Sequence, residues 1–137
     1  MKVLVVDDDV IAREALCSEL EQGGCEVLSL PSPIGATRVI HDEKVDVIVL
    51  DVVMPRMRGD RLAKLLRGNP RFAKLTVVLV SGETGVALEE LASAVGADAV
   101  VSKGHIRTTL LPTVKAAARA RVESSTPSGS GAKPRAR

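Results

Sequence analysis

The sequence predicts an α/β fold in which a parallel sheet is covered by helices on both faces. Five apolar runs recur along the chain, and the segments between them have the apolar spacing of helices. Most residues within each run are apolar at consecutive positions, which is typical of strands buried on both faces. The length of 137 residues fits one domain of ordinary size. We therefore expect a doubly wound, five-stranded parallel sheet with five helices.

The predicted strands are the apolar runs themselves. Three of the five runs are interrupted by one polar residue, which is Ser29, Asp46 or Asp98. Each run still has a length that is usual for a strand in a globular protein. The predicted strands span residues 3–6, 27–30, 45–50, 77–80 and 97–101.

The predicted helices lie between the strands and each has one apolar stripe. The first helix is expected to begin at Asp9 or Val10 and to end at Gly23-Gly24, since glycine commonly closes a helix in the left-handed conformation. The next three helices show apolar residues at three- and four-residue spacings. Their predicted stripes are Ala36, Val39 and Ile40; Leu62, Leu65 and Leu66; and Leu88, Leu91, Ala92 and Val95.

The fifth helix is less regular because it contains a proline. Thr108 or Thr109 is the predicted N-cap. Pro112 would then fall in the first turn, where its missing N–H has no intrahelical partner to lose. The predicted inner stripe of this helix is Leu110, Val114, Ala117 and Ala118.

The composition predicts a globular protein with an aliphatic core. Hydrophobic residues make up 45% and charged residues 26% of the chain, with one Phe and no Tyr or Trp. A domain of ~120 residues buries roughly two-thirds of its extended surface, so aliphatic packing suffices. No apolar run approaches the ~20 residues of a bilayer span, and the N-terminal run ends at Asp7. We therefore expect a cytoplasmic protein, in which the widely spaced Cys17 and Cys25 are reduced thiols.

The net charge of +2 is not spread evenly along the chain. Residues 1–122 carry 16 basic and 16 acidic side chains, so the predicted folded part is neutral. A nucleic-acid-binding protein usually has a basic domain with a basic face, and we therefore expect no direct binding to nucleic acid. The charge excess comes from Glu123, Lys133, Arg135 and Arg137.

The composition changes after Val122, where Ser, Gly and Pro replace the apolar residues. Such a segment cannot bury enough apolar surface to offset the entropy of ordering it. We therefore predict a folded domain over residues 1–122 and a disordered Ser/Gly/Pro/basic tail over residues 123–137. An output domain does not fit into 15 residues, so we expect a stand-alone domain.

Polar residues follow four of the five predicted strands, and these ends are where ligands bind in an open parallel sheet. The second strand ends in Leu30-Pro31 and offers no such residue. If that strand lies at the edge, the other four ends converge on one pocket. The residues at these ends are Asp7, Asp8 and Asp9; Asp51; Ser81; and Lys103.

These residue types fit a site for phosphoryl transfer. Clustered carboxylates repel one another unless a cation lies between them, and oxygen-only ligands suit Mg²⁺ or Mn²⁺. A carboxylate nucleophile, the metal, Lys103 and the Ser81 hydroxyl could together accept and stabilise a phosphoryl group. Each residue alone has a simpler explanation, such as a helix cap for an Asp, a turn for Ser81-Gly82 or a solvated lysine. Their joint placement at four strand ends favours the common site.

Four motifs at these positions resemble the receiver domains of bacterial two-component response regulators. The resemblance covers residues 1–122 and implies a flavodoxin-like fold with strand order 2-1-3-4-5. Gly59 matches the glycine that opens the third helix in that family. The motifs are Val3-Leu4-Val5-Val6-Asp7-Asp8, then Val47-Ile48-Val49-Leu50-Asp51 with Met54-Pro55 and Gly59, then Val77-Val78-Leu79-Val80-Ser81-Gly82, then Lys103.

The resemblance implies a role for each site residue. Asp51 would be the phosphoacceptor, and a phosphohistidine of a sensor histidine kinase or histidine phosphotransfer protein would be the donor. Mg²⁺ would be bound by the carboxylates of Asp8 and Asp51, by the backbone carbonyl of Val53 and, through water, by Asp7. The remaining two residues, Ser81 and Lys103, would bind the phosphoryl oxygens.

The resemblance also implies a signalling domain and not an enzyme. Phosphorylation would control its interaction with a downstream protein, without any contact with a membrane. The domain would be a monomer or a weak phosphorylation-dependent dimer.

Two positions depart from the family pattern. The family usually has Tyr or Phe three residues before the lysine, and this chain has Val100. The family usually has proline after the lysine, and this chain has Gly104. Neither change affects the predicted phosphorylation chemistry. In the family the aromatic side chain moves inward when the switch hydroxyl moves, and this chain has no such side chain at that position.

Two other functions remain open at the level of sequence. Val6-Asp7-Asp8-Asp9 also resembles the opening motif of haloacid-dehalogenase-type phosphatases, with Asp7 as nucleophile and Asp9 as general acid. Ser81 and Lys103 would be the second and third motifs of that family. The family also needs an acidic pair after the lysine to hold Mg²⁺, and no Asp or Glu lies between Lys103 and Glu123. The third possibility is a receiver-like scaffold that binds partners without phosphorylation.

Overall fold

The structure is a computed structural model, and it describes residues 1–82 and 86–125. Strands and helices alternate along the chain, as the apolar runs predict. A short 3₁₀ turn over Pro70–Phe72 precedes the fourth strand, and another over Lys103–His105 follows the fifth. The elements are β1 (Lys2–Val6), α1 (Val10–Gln22), β2 (Glu26–Leu30), α2 (Ala36–Asp42), β3 (Val47–Asp51), α3 (Gly59–Arg67), β4 (Thr76–Ser81), α4 (Val86–Val95), β5 (Ala99–Ser102) and α5 (Ile106–Ser125).

The five strands form one parallel sheet in the order β2-β1-β3-β4-β5, which confirms the predicted fold and strand order. The topological switch point lies between the neighbouring strands β1 and β3. From β1 the chain continues to β2 on one side, and from β2 it crosses to β3 on the other side of β1. The strand without a polar end, β2, lies at the sheet edge. The carboxyl ends of the other four strands are therefore neighbours, as a ligand site at a topological switch point requires.

Alternate residues of each strand enter two separate cores, one on each side of the sheet. In β1, Val3 and Val5 pack with α1 and α5, whereas Leu4 and Val6 pack with α2, α3 and α4. All four of these β1 side chains are fully buried. Burial on both faces explains why the central strands are continuously apolar in sequence.

The first helix has the predicted ends. The Asp9 carboxylate accepts a hydrogen bond from the backbone N–H of Ile11 at 3.1 Å, which is the geometry of an N-cap. The helix ends at Gln22, and the N–H of Gly23 donates to carbonyls of its last turn. The following Gly24 has a φ of +90°, a conformation that glycine adopts without strain.

Two strands begin later than the apolar pattern predicts. The third starts at Val47 instead of residue 45, and the fifth starts at Ala99 instead of residue 97. In both cases an Asp just before the strand uses its carboxylate to accept a backbone N–H from the neighbouring strand. Asp46 accepts from Lys2, and Asp98 accepts from Val77, each at 2.8 Å.

The predicted stripe of α3 is wrong at Leu65. This side chain is 57% exposed, and Ala63 is buried in its place. The helix buries positions 59, 62, 63 and 66, which follow the i, i+3, i+4, i+7 spacing of one helix face. Leu65 lies outside that face because the close packing at Gly59 fixes the rotation of the helix.

The predicted start of α5 is also wrong. The helix begins at Ile106, so Pro112 is its seventh residue and lies in the helix interior. The hydroxyls of Thr108 and Thr109 donate to the carbonyl of His105 instead of capping the helix.

The last helix, α5, also continues to Ser125, three residues into the predicted tail. The rest of that tail, residues 126–137, lies outside the described residues. Within the described part of the chain, no helix has the length and apolarity to cross a membrane.

Candidate functional site

Four sheet strands bring the predicted site residues together at one edge. Asp7 follows β1, Asp51 is the last residue of β3, Ser81 is the last residue of β4, and Lys103 follows β5. The ammonium of Lys103 lies 3.1 Å from Asp7 Oδ2 and 3.3 Å from Asp51 Oδ1. The ammonium therefore bridges two carboxylates that lie far apart in sequence.

Asp7 is the most deeply buried of the acidic residues, with no exposed surface. Its Oδ1 accepts the backbone N–H of Asp9 at 2.9 Å. Among the described residues, Oδ2 has no hydrogen-bond donor in good geometry and has the Lys103 ammonium as its ion-pair partner. A buried carboxylate oxygen of this kind is costly unless a cation compensates it.

The carboxylates of Asp7, Asp8 and Asp51 form a cluster. One oxygen from each of the three lies within 4.8 Å of the others. In the described part of the chain, the Lys103 ammonium is the one cation within ion-pair distance of this cluster, so two of three carboxylate charges stay unbalanced. The donor set consists of oxygens alone, and the exposed Asp8 leaves it open on one side. These residues fit Mg²⁺, which takes one or two carboxylates and keeps several waters.

The electrostatics of Asp51 favour an interaction with a cation. Burial raises the pKa of Asp51, and the nearby Asp7 carboxylate raises it further. Lys103 and the backbone N–H of Val53 act in the opposite direction. Burial alone would lower the pKa of Lys103, but its contacts with Asp7 and Asp51 outweigh that effect and raise it. Lys103 is therefore held in its charged form beside the carboxylate that it stabilises.

Gly59 is required by the shape of the β3–α3 connection. A Cβ atom built on Gly59 would lie 2.0 Å from the backbone oxygen of Asp51, which no side chain can tolerate. The N–H of Gly59 also donates to the carbonyl of Val52 at 2.8 Å. The glycine thus allows α3 to approach the end of β3 and holds the backbone around Asp51 and Val53.

Sequence reasoning missed one residue of the site, Arg13. Its guanidinium donates to the backbone carbonyl of Asp7 at 2.7 Å and so fixes the turn that carries the carboxylates. The available signal was charge. Arg13 is the single basic residue within residues 7–26, a segment that contains seven acidic ones.

The two positions that depart from the family pattern are well accommodated. Val100 is half-buried and packs against the core shared by α2, α3 and α4. The N–H of Gly104 donates to Ser102 Oγ at 3.3 Å, a bond that a proline could not make.

The family model described as the response regulator receiver domain matches residues 3–115. The chain belongs to this family. The receiver domain is a signalling module of two-component systems and not a classical enzyme. The match favours the receiver over the phosphatase alternative, which leaves Asp51 without a role.

Several similar proteins match this chain over most of its length and over most of their own. PilG of Pseudomonas aeruginosa is 29% identical over 85% of this chain and 86% of its own length. The solved structure of the chemotaxis response regulator CheY4 of Vibrio cholerae has a TM-score of 0.77 and 29% identity, and covers 85% of this chain and 97% of its own. The BeF3-activated receiver domain of Klebsiella pneumoniae RstA has a TM-score of 0.78 at 25% identity, and covers 87% of this chain and 99% of its own.

Other relatives are much longer. A protein-glutamate methylesterase/protein-glutamine glutaminase of Anaeromyxobacter dehalogenans is 36% identical over 93% of this chain, but the chain spans 38% of its length. Protein RcaC of Microchaete diplosiphon is matched over 16% of its length. The receiver module therefore occurs both in short proteins and as a part of larger ones.

Proposed function

We propose that Asp51 is the phosphoacceptor of this receiver. The bridge from the Lys103 ammonium to the Asp7 and Asp51 carboxylates is the observation that carries the proposal. Asp51 is buried and is the last residue of β3, at the sheet edge where the Lys103 ammonium also lies. A nucleophile in this position is shielded from bulk water but can be reached by a phosphoryl group from outside.

In the proposed reaction, an Asp51 carboxylate oxygen attacks the phosphorus of a phosphohistidine. The new O–P bond forms as the P–N bond breaks, and the electron pair returns to the imidazole nitrogen of the donor. Lys103 then exchanges its contact with the attacking carboxylate for one with a phosphoryl oxygen. Ser81, which ends the adjacent strand β4, supplies a hydroxyl to a second oxygen.

The metal in this proposal is Mg²⁺ or Mn²⁺. The carboxylates of Asp8 and Asp51 and the carbonyl of Val53 would bind it directly, and Asp7 would bind it through water. When bound, the cation neutralises negative charge that gathers on the phosphoryl oxygens during transfer. The support for this set is the cluster of three carboxylates and its two unbalanced charges.

Asp8→Ala is expected to weaken Mg²⁺ binding much more than Asp9→Ala. Asp8 belongs to the carboxylate cluster, whereas the Asp9 carboxylate is used as the cap of α1. Loss of the cap should lower the free energy of unfolding by about 1 kcal/mol. A titration with Mg²⁺ and a denaturant unfolding curve separate the two effects. Equal losses of metal affinity in both variants would contradict this assignment.

Lys103→Ala should leave Asp51 open to phosphorylation but weaken the conformational response. The phosphoryl group would lose its charged partner in the pocket, and the strand end of β5 would no longer be drawn toward it. The measurement is the change in NMR chemical shifts when a phosphoryl mimic is added. Lys115→Ala on the exposed face of α5 is the matched control. Shift changes in Lys103→Ala that equal those of the wild type would refute the role given to the lysine.

The partners in this proposal are a histidine kinase or histidine phosphotransfer protein and a downstream protein target, all in the cytoplasm. The phosphorylated receiver would bind its target through a changed surface on the β5 side of the sheet.

Because Val100 replaces the usual aromatic residue, we expect phosphorylation to change this surface only modestly. A short β-branched side chain has a restricted χ1 and cannot move between an exposed and a buried rotamer as an aromatic ring can. The free energy of binding to the target should therefore change by less than about 3 kcal/mol on phosphorylation. This value is the upper end of typical coupling energies between two sites. Isothermal titration of the target with and without a stable phosphoryl mimic measures this. A larger change would show that phosphorylation can be coupled to target binding without the aromatic residue.

The experiment that tests the proposed function is phosphorylation by a small phosphodonor. The protein is incubated with the donor and Mg²⁺, and the intact mass is recorded, with a chelator in the control. A single phosphoryl adduct that needs the metal supports the proposal. A chain that forms no adduct while still binding its partners would be the phosphorylation-independent scaffold.

A further inference from the structure

The neutral total charge of the folded part conceals a strong separation of charge. Residues 7–26 contain seven acidic side chains and one basic one, whereas residues 54–74 contain seven basic side chains and one acidic one. The acidic segment includes α1, which packs on one side of the sheet. The basic segment includes α3, which packs on the other.

Most of the basic side chains around α3 have no acidic partner. In the described part of the chain, Arg58 pairs with Asp60 and Arg67 with Asp98. After Arg58, the other four basic residues of this segment are exposed, and no carboxylate of the described residues lies within ion-pair distance of them. Together with one arginine from α2, we name them the basic face; its members are Arg38, Arg61, Lys64, Arg71 and Lys74.

The basic face borders three neighbouring clefts around the 3₁₀ turn Pro70–Phe72. The largest, about 650 Å³, lies between α3 and this turn and is lined by Arg61 and Lys64. The next, of about 330 Å³, lies between α2 and the turn. The third, of about 240 Å³, shares Arg71 with the second. A carboxylate also lines each of these two clefts, Asp42 in the second and Asp46 in the third, whereas no acidic residue lines the largest. The largest cleft therefore offers an acidic segment the most uniformly basic lining.

An exposed apolar side chain lies within the basic face. Leu65 is one helical turn after Arg61 and lines the largest cleft together with it. More than half of its surface is open to water, although the neighbouring leucines of the same helix are buried. Basic groups around an exposed leucine suit a ligand with both carboxylates and apolar side chains.

We propose that the basic face is a docking surface for an acidic segment of a partner protein that also carries apolar residues. Charge complementarity favours the acidic groups, and Leu65 favours the apolar ones. Single-stranded nucleic acid usually binds where aromatic side chains stack on the bases, but the one aromatic residue of this chain, Phe72, is buried. This surface shares no residue with the Lys103 bridge or the acidic cluster, so we expect binding there without phosphorylation.

The test uses fluorescence anisotropy with a labelled peptide of Glu and Leu as the probe. Arg61→Glu/Lys64→Glu should weaken binding to the full chain by about tenfold or more, because two attractive charges become repulsive. The matched control reverses two exposed basic residues of α5 in Lys115→Glu/Arg119→Glu and should bind the peptide as the wild type does. Binding should also weaken as salt is added.

A second variant tests the apolar component. Leu65→Ser should weaken the binding of the Glu/Leu peptide and leave the binding of a peptide of Glu alone unchanged. Equal effects of both charge reversals, or no binding of the peptide, would overturn the proposal. Tighter binding to a labelled DNA duplex than to the peptide would overturn it in favour of nucleic acid. Self-association of the chain, lost in Arg61→Glu/Lys64→Glu without any peptide binding, would identify a second copy as the occupant and overturn it too.

The result of the peptide-binding test does not depend on the proposed phosphorylation of Asp51. The Arg61→Glu/Lys64→Glu chain should accept phosphoryl groups at the wild-type rate, because neither residue belongs to the acidic cluster. Failure of peptide docking with normal phosphorylation refutes the docking surface alone.

Discussion

Asp51→Asn is expected to abolish phosphoryl acceptance and to leave the fold intact. The amide has nearly the shape of the carboxylate but cannot act as the nucleophile. Burial and Asp7 both disfavour the charged form of Asp51, since they raise its pKa. Neutralising this residue relieves that repulsion, so we expect no fall in the free energy of unfolding from the loss of charge. Incorporation of label from a radioactive phosphodonor measures the first effect, and denaturant unfolding measures the second.

Asp9→Asn is the matched control for this variant. It makes the same chemical change two residues after Asp7, and Asn is as good an N-cap as Asp. The control should take up label at the wild-type rate. If Asp51→Asn also takes up label at that rate, Asp51 is not the phosphoacceptor.

The largest effect on stability is expected for Asp98→Ala. Asp98 precedes the edge strand β5 and binds two arginines from opposite sides of the sheet. Its Oδ2 lies 2.8 Å from Arg67 Nη2 of α3, and its Oδ1 accepts from Arg121 of α5. Oδ2 also accepts the backbone N–H of Val77 in β4 at 2.8 Å. One carboxylate therefore joins two helices and two strands.

Removing this carboxylate should lower the free energy of unfolding by about 3 kcal/mol. The two arginine side chains are mostly buried and would each lose the ion pair with Asp98, and a strand N–H would lose its acceptor. Asp60→Ala is the control, because its partner Arg58 is 56% exposed and such a pair is worth less than about 1 kcal/mol. Denaturant unfolding of both variants checks the difference. Similar losses in the two variants would mean that the Asp98 cluster contributes little.

The central site was predictable because its residues lie at strand ends. Parallel strands that are apolar throughout are easily located in a sequence, and the first polar residue after each one must lie at the same edge of the sheet. Asp7, Asp51 and Ser81 were identified in this way. The tertiary structure adds the contacts between them, such as the bridge by Lys103.

Other features depend on tertiary contacts that periodicity does not encode. The pairing of Asp98 with Arg67 and Arg121 joins residues more than 20 positions apart. The rotation of α3, which exposes Leu65, depends on the close approach of Gly59 to β3. A neutral total charge also says nothing about where the charges lie.

The position of the phosphoryl group in the chain determines whether Asp51 is the phosphoacceptor. The protein is phosphorylated with a small phosphodonor and Mg²⁺, treated with borohydride to reduce the acyl phosphate, and digested for peptide mass mapping. An aspartyl phosphate becomes homoserine under these conditions and thereby marks the modified residue. We predict homoserine at Asp51 and at no other acidic residue of the cluster. Homoserine at Asp7 or Asp8, or none at all after treatment that phosphorylates a known receiver, would show that Asp51 is not the phosphoacceptor.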